Sequence, residues 1–225
     1  MPAAGRGHRM GSASPKQFLT LGGLPLLVHS LRALEASETV SSIVLAAPQA
    51  DLDYCTRDIV ERYGFKKVRR IVAGGAERQD SVRLGLAAVG SEADIVLVHD
   101  AVRPFLAADM IAQVVAAAVK HGAAIVAIPM RDTVKRVGAD GLIEETVDRK
   151  LLWLAQTPQA FKRALLEEAH EKALRNGLRA TDDAQLVERL GHRVAIVEGS
   201  TDNIKITRPE DLAMGESILA SRAGR

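Results

Sequence analysis

The chain has 225 residues, of which 47% are hydrophobic and 26% charged, with a formal net charge of +2. That length and balance fit one large soluble domain with an aliphatic core, and they exclude a chain-wide basic field for nucleic acid. A single cysteine, Cys55, excludes an internal disulfide, and the apolar runs at 18–28 and 111–119 are too short or too broken to span a bilayer; the expected location is the cytoplasm, with no membrane and no nucleic-acid partner.

The first seventeen residues form a glycine-rich loop, with Gly5, Gly7 and Gly11 interleaved with Arg9, Lys16, Arg6 and His8. Glycines let a backbone approach a ligand closely, and fixed cations meet phosphate oxygens with charge-assisted hydrogen bonds. A polyphosphate loop and a plain basic N-terminus both fit this stretch. It lacks the Gly-Lys-Ser/Thr close of a P-loop and fails the dinucleotide fingerprint.

Periodicity then predicts a helix at 26–36, with Leu27, Leu31 and Leu34 on one face. Continuous apolar runs predict buried strands at 43–47, 68–73, 95–99 and 123–128, separated by helices at 51–63, around Val82, Leu86 and Val89, and at 107–120. Strands alternating with helices mean a Rossmann-like α/β fold, a mostly parallel sheet flanked by helices. The segments 133–137 and 142–147 flank a Gly138-Ala139-Asp140-Gly141 turn and read as a hairpin projecting from the sheet, either a solvated flap or a dimer arm. A helix at 161–175, an N-cap at Thr181-Asp182-Asp183, strands at 194–197 and 204–207, and a last helix opened by Pro209 complete a single domain over 1–225, with the arm at about 133–152.

Ligands of such sheets bind beyond the carboxyl ends of the strands. The strand 95–99 delivers Asp100 there, suited either to a divalent cation or to capping a turn. The strand 68–73 delivers Gly74-Gly75, then Arg78 and Ser81. The strand 204–207 carries Lys205 between Ile204 and Ile206, facing away from their buried side toward solvent or a ligand. Cations, a carboxylate and a late lysine are the parts that phosphoryl or nucleotidyl transfer needs, since that chemistry rests on positioning and charge stabilisation.

The ordered segments PAAGRGHRM…PKQF, GGAERQDSV, LVHDAVRP, RDTVKR, TVDR, LAQTPQAF, TDDA and DNIKITRPEDL resemble the 2-C-methyl-D-erythritol 4-phosphate cytidylyltransferase family over essentially the whole chain. The resemblance implies a nucleotidyltransferase fold and the transfer of a cytidylyl group from CTP to 2-C-methyl-D-erythritol 4-phosphate, with Mg²⁺ and release of pyrophosphate. It implies that Arg9 and Lys16 hold the triphosphate and stabilise charge at the α-phosphate, that Asp100 binds Mg²⁺ and the nucleotide, and that Lys205 contacts phosphate near the reacting centre. Ala3, Ala4, Gly5, Gly7, Gly75 and Ser81 are then nucleotide-binding. Arg103, Thr133, Arg149, Thr181 and Lys205 are substrate-binding. Thr133 and Arg149 lie on the arm and serve a neighbour's site in a homodimer. The rival readings are a ribitol 5-phosphate cytidylyltransferase or other sugar-phosphate nucleotidyltransferase, and a non-catalytic nucleotide-binding module. One departure stands out. Family members carry a hydrophobic strand just before the Pro-Ala-Ala-Gly loop, whereas this sequence opens at Met1-Pro2. The resemblance therefore leads one to expect further apolar residues ahead of Met1, and two strand edges left without the partner between them.

Overall fold

The structure, a computed structural model, describes residues 1–5 and 15–223. Arg6, Gly7, His8, Arg9 and Gly11 lie outside the described residues. β1 (Thr20–Leu21) and β2 (Leu24–Pro25) form a small hairpin that the sequence reading did not foresee. Its turn is Gly22-Gly23, with φ of 55° and 77°, the positive values that a two-residue hairpin turn demands and glycine adopts without a Cβ penalty. α1 (Leu26–Ala36) follows and buries the predicted Leu27, Leu31 and Leu34.

β3 (Ile43–Ala47) pairs in parallel with β4 (Val68–Ala73) across α2 (Leu52–Tyr54), which continues as a π-helical segment, Cys55–Glu61. α3 (Arg78–Ala87), β5 (Ile95–Val98), α4 (Ala108–His121) and β6 (Ala123–Pro129) keep the predicted alternation. β7 (Val134–Val137) and β8 (Ile143–Val147) make the predicted antiparallel hairpin, with Val137, Leu142 and Ile143 exposed. β9 (Trp153–Lys162), α5 (Arg163–Arg175), α6 (Asp183–Glu188), β10 (Ala195–Glu198) and α7 (Pro209–Ala223) complete the fold.

β9 gives the sheet its mixed character. In the order β10-β6-β9-β5 it runs antiparallel to both β6 and β5, while β10 and β6 are parallel. Pro158 hides this strand from a sequence reading, because a residue without an N–H is normally kept out of central strands. The structure accommodates it with a bulge. Ile125 faces Gln159 and Ala127 faces Ala155, so residues 156–158 leave the ladder. The strand predicted at 204–207 is instead an irregular segment, tied down by Ile206 N–H donating to Val102 O at 2.9 Å.

Helices cover both faces of the sheet. Along β6, Ala124 and Val126 join a core with Leu31 of α1 and Ile111 and Val114 of α4, whereas Ala123, Ile125 and Ala127 join one with Leu86 of α3 and Leu166 of α5. The alternation is the period of two that a doubly buried strand imposes. Met1–Ala3 lies between β3 and β5: Ala46 N–H donates to Met1 O at 3.0 Å, Ala3 N–H to Ala46 O at 2.7 Å, and Ala101 N–H to Pro2 O at 3.4 Å. Next to Met1 a cavity of about 140 Å³ separates the two strands, lined by Ile43, Val44, Val96 and Leu97 among others. Among the described residues no helix is long and apolar enough to cross a membrane.

Two measurements check this packing. Leu31 is fully buried and Val119 is 58% exposed. In chemical denaturation Leu31→Ala therefore loses about 2–5 kcal/mol, and Val119→Ala stays within about 0.5 kcal/mol of the parent. Cys55 is fully buried, and burial followed by the Asp51 charge pushes its thiol up to about 12. A thiol reagent at pH 8 is accordingly slow to label the native chain, and labelling accelerates to the rate of a free cysteine once the chain is unfolded.

Candidate active site

Asp100 comes first after β5, at the strand's carboxyl end, and the backbone around it is fixed by a directed run of hydrogen bonds. His99 Nε2 lies 3.1 Å from Arg103 O; a carbonyl only accepts, so Nε2 carries the proton. Nδ1 then accepts from the Thr157 hydroxyl at 3.1 Å, which leaves Thr157 Oγ1 to accept the Asp100 N–H at 3.1 Å. Burial pushes His99 down to about 4, against the pull of Asp100, so the ring is the neutral tautomer this run requires. Thr157 reaches the site because it sits in the β9 bulge.

The Asp100 carboxylate is held from two sides. Oδ1 accepts Arg78 Nε at 2.9 Å and Oδ2 meets Lys205 Nζ at 2.8 Å. Burial alone would raise its pKa, and the Arg78 and Lys205 charges outweigh that and hold it well below the usual carboxylate range. Arg78 opens α3 and also gives Nη1 to Asp183 Oδ2 at 2.7 Å. Burial opposes its charge, and the two carboxylates more than compensate, so it stays protonated.

These groups face a cavity of about 270 Å³ whose wall includes Ala3, Ala4, Gly5, Lys16, Gly75, Ser81, Asp100 and Lys205. Every described residue predicted for the nucleotide is thus on one surface. The backbone comes close where glycine is required: a Cβ on Gly74 would stand 2.2 Å from Ala4 Cβ, and one on Gly75 would stand 2.3 Å from Asp80 Cβ. Ser81 is buried, and its hydroxyl is already used, accepting Gly75 N–H at 3.1 Å and donating to Glu77 O at 3.1 Å. Its part in the pocket is to shape the Gly75 turn.

The predicted substrate residues are more scattered. Arg103 is not on the cavity wall; it is buried beneath it and gives Nη1 to Asn203 O at 2.6 Å, supporting the segment that carries Lys205. Thr181 lines an adjoining cavity of about 430 Å³, and Glu77 and Arg78 line both cavities and lie between them. Thr133 and Arg149 are exposed on and beside the hairpin, where Arg149 donates to Arg131 O. Among the described residues no three or more His, Cys, Asp or Glu side chains gather as a metal cluster. The donor set fits a hard divalent ion that takes one carboxylate, Asp100, and completes its shell with water and phosphate oxygens.

Sequence reasoning had Arg78 at a strand end but gave it no role, and it missed Thr157, Asn203, Asp183 and His170. The signal for Asp183 was present in the paired acids after Thr181, but its partner Arg78 lies 105 residues away.

Residues 1–221 match the family model described as 2-C-methyl-D-erythritol 4-phosphate cytidylyltransferase. The chain is 48% identical over 225 residues to the enzyme of that name from Syntrophus aciditrophicus, covering 100% of this chain and 96% of the relative. It is 50% identical over 220 residues to the one from Syntrophotalea carbinolica, covering 97% and 94%. Its fold resembles the crystal structure of 4-diphosphocytidyl-2C-methyl-D-erythritol synthase from Anaerococcus prevotii, with a TM-score of 0.86, 33% identity, and coverage of 97% of this chain and 93% of that one. It also resembles the Thermus thermophilus cytidylyltransferase, at 0.77 and 38%, with 97% and 96% covered. With nearly its full length matched by the family model and by relatives at such identity, the chain belongs to the 2-C-methyl-D-erythritol 4-phosphate cytidylyltransferase family.

Proposed function

We infer that this cytidylyltransferase, which joins CTP and 2-C-methyl-D-erythritol 4-phosphate with loss of pyrophosphate, performs the transfer in the cavity walled by Ala3–Gly5, Lys16, Gly75, Asp100 and Lys205. The observation that carries this assignment is that Lys16, Asp100 and Lys205, from three distant parts of the chain, line one cavity. The small Ala3, Ala4 and Gly75 leave backbone groups accessible to the cytosine edge and ribose. Lys16 and Lys205 bring ammonium groups to the phosphate oxygens, where negative charge builds as the acceptor's phosphate oxygen bonds to the α-phosphorus and the bond to pyrophosphate breaks. No covalent intermediate on the protein is needed. Asp100 is the residue that would hold Mg²⁺, and the ion, when bound, neutralises triphosphate charge and orients the leaving group. Lys205 moves from Asp100 to phosphate when the nucleotide enters.

The acceptor site extends from Lys205 toward Thr181, with Arg103 supporting the Lys205 segment from beneath through Asn203 O. Thr133 and Arg149 stand apart from this cavity on the arm, which fits their use in a neighbouring chain. The exposed apolar residues Val137, Leu142, Ile143, Leu151, Trp153 and Leu154 gather on the arm and just after it, as a surface that a second copy covers. The working form on this reading is a homodimer with each site built from two chains.

Pyrophosphate release from CTP with Mg²⁺ is expected with 2-C-methyl-D-erythritol 4-phosphate and not with ribitol 5-phosphate; the reverse preference would overturn the acceptor. The shared site has its own test. Lys205→Ala lowers kcat/KM by about 10²–10³-fold, the usual loss for one stabilising donor. If Arg149 serves the neighbour, mixing inactive Lys205→Ala and Arg149→Ala chains at equal amounts restores about a quarter of the parental activity, because half the dimers carry one intact site. Mixtures no better than the separate variants would mean that Arg149 serves the site of its own chain and not the neighbour's.

A further inference from the structure

Behind Asp100 a line of polar contacts leads away from the cavity into the core. Arg78 Nε meets Asp100 Oδ1 and its Nη1 meets Asp183 Oδ2, and the other Asp183 oxygen accepts His170 Nε2 at 3.0 Å. The side chains of His170 and Asp183 are 2% and 1% exposed. Neither lines the cavity, and the reaction as described uses neither. Their neighbours along α5 and α6, Leu166, Ala169, Ala173, Leu186 and Val187, are buried apolar residues of one core cluster. Apolar side chains at 170 and 183 would avoid the cost of desolvating a carboxylate and an imidazole. What the polar pair provides lies at Arg78. An arginine side chain is long and rotatable, and here both edges of its guanidinium are fixed, Nη1 from within the core and Nε on Asp100. Asp100 is therefore gripped on Oδ1 by an anchored partner, whereas Oδ2 meets Lys205, whose side chain is 37% exposed on the cavity wall.

We propose that the buried His170–Asp183 pair is a positioning device for the transfer: it locks Arg78, and Arg78 in turn holds Asp100 so that Oδ2 is the oxygen offered to the cavity. This rests on the reading of Asp100 as the residue for the divalent ion and the nucleotide. His170 and Asp183 are positioning residues that act through Arg78, and the hydrogen bond from His170 Nε2 is what keeps the Asp183 carboxylate from rotating away from the guanidinium.

The test compares His170→Leu, His170→Gln and Asp183→Asn in the full chain, each checked for folding by circular dichroism and thermal unfolding. Glutamine can donate from a side-chain nitrogen where the imidazole donates, and leucine cannot. Two quantities are read: Mn²⁺ affinity from paramagnetic resonance titration with the metal alone, and kcat and KM for CTP. His170→Leu and Asp183→Asn are expected to weaken Mn²⁺ binding and lower kcat by about 10-fold or more, the usual effect of losing a residue behind a metal ligand, with KM for CTP within about threefold. His170→Gln recovers both quantities to within about threefold of the parent, which a merely structural role would not produce. Parental Mn²⁺ affinity and kcat in folded His170→Leu and Asp183→Asn would overturn the proposal, as would a folded His170→Gln that is as impaired as His170→Leu. Should His170→Leu fail to fold, the contrast between His170→Gln and Asp183→Asn decides in the same way. A parent chain that binds Mn²⁺ but does not turn over 2-C-methyl-D-erythritol 4-phosphate would count against the acceptor assignment, and the Mn²⁺ titrations would still decide the positioning role.

Discussion

A single buried carboxylate between two cations is the constraint around which this protein is arranged. The Asp100 side chain is 8% exposed and ionised, and such a group is tolerated only where opposite charge and hydrogen bonds replace water. Arg78 comes from the helix after β4 and Lys205 from the segment before α7. Their positions follow from how the β3–β4 unit, the four-stranded sheet and the C-terminal segment meet at one end. Remove either partner and the penalty is more than one lost ion pair, because the remaining charge stays buried and underpaired.

The loops that meet there are pinned largely by side-chain amides, with the buried Arg103 guanidinium as a charged tie beneath them. Asn203 is fully buried; its Nδ2 donates to Gln156 Oε1 at 3.1 Å and to Thr157 O at 2.9 Å, and its backbone carbonyl accepts the Arg103 guanidinium. Gln156 Nε2 reaches on to Ser200 O at 2.8 Å. The β9 bulge is the common origin of the bonds made by Gln156 and Thr157. Gln156 and Thr157, which leave the ladder there, turn their polar atoms toward the Asp100 and Lys205 segments, and the interruption around Pro158 becomes the piece that joins two parts of the site. The pocket side is fixed by steric closeness instead, Gly74 against Ala4 and Gly75 against Asp80.

What was legible in the sequence was whatever depends on local pattern. Buried apolar runs gave β3, β4, β5 and β6, periodicity gave α1 and α4, and the glycine-flanked turn gave the β7–β8 hairpin. The position of Asp100 after a buried strand and of Lys205 between two isoleucines marked both as candidates, and they do meet, even though the Lys205 segment forms no ladder. What stayed hidden depends on partners far along the chain. β9 carries a proline and no long apolar run, and only β5 and β6 on either side make it a central strand of a sheet. His170 reads as a polar residue on an amphipathic helix, and only Asp183, tied to Arg78, makes it part of the site.

The charges around the cavity can be weighed together. Asp100 and Asp183 contribute two negative charges, and Arg78 and Lys205 two positive ones, so these four are balanced as they stand and their mutual attraction offsets the cost of their desolvation. The two cations are not equivalent. Arg78 is shared with a core carboxylate and held at both edges, whereas Lys205 makes one contact to Asp100 from a more exposed side chain. Incoming phosphate therefore competes for Lys205 far more readily than for Arg78. Once Lys205 turns to phosphate, Asp100 keeps only an arginine whose charge Asp183 also draws on, and its Oδ2 is short of positive charge. That deficit, created where the nucleotide's phosphates arrive, is the electrostatic condition under which a single carboxylate takes up a divalent cation that phosphate oxygens also ligate. In this arrangement binding of nucleotide and of metal reinforce each other through one lysine, without a preformed cluster of acids.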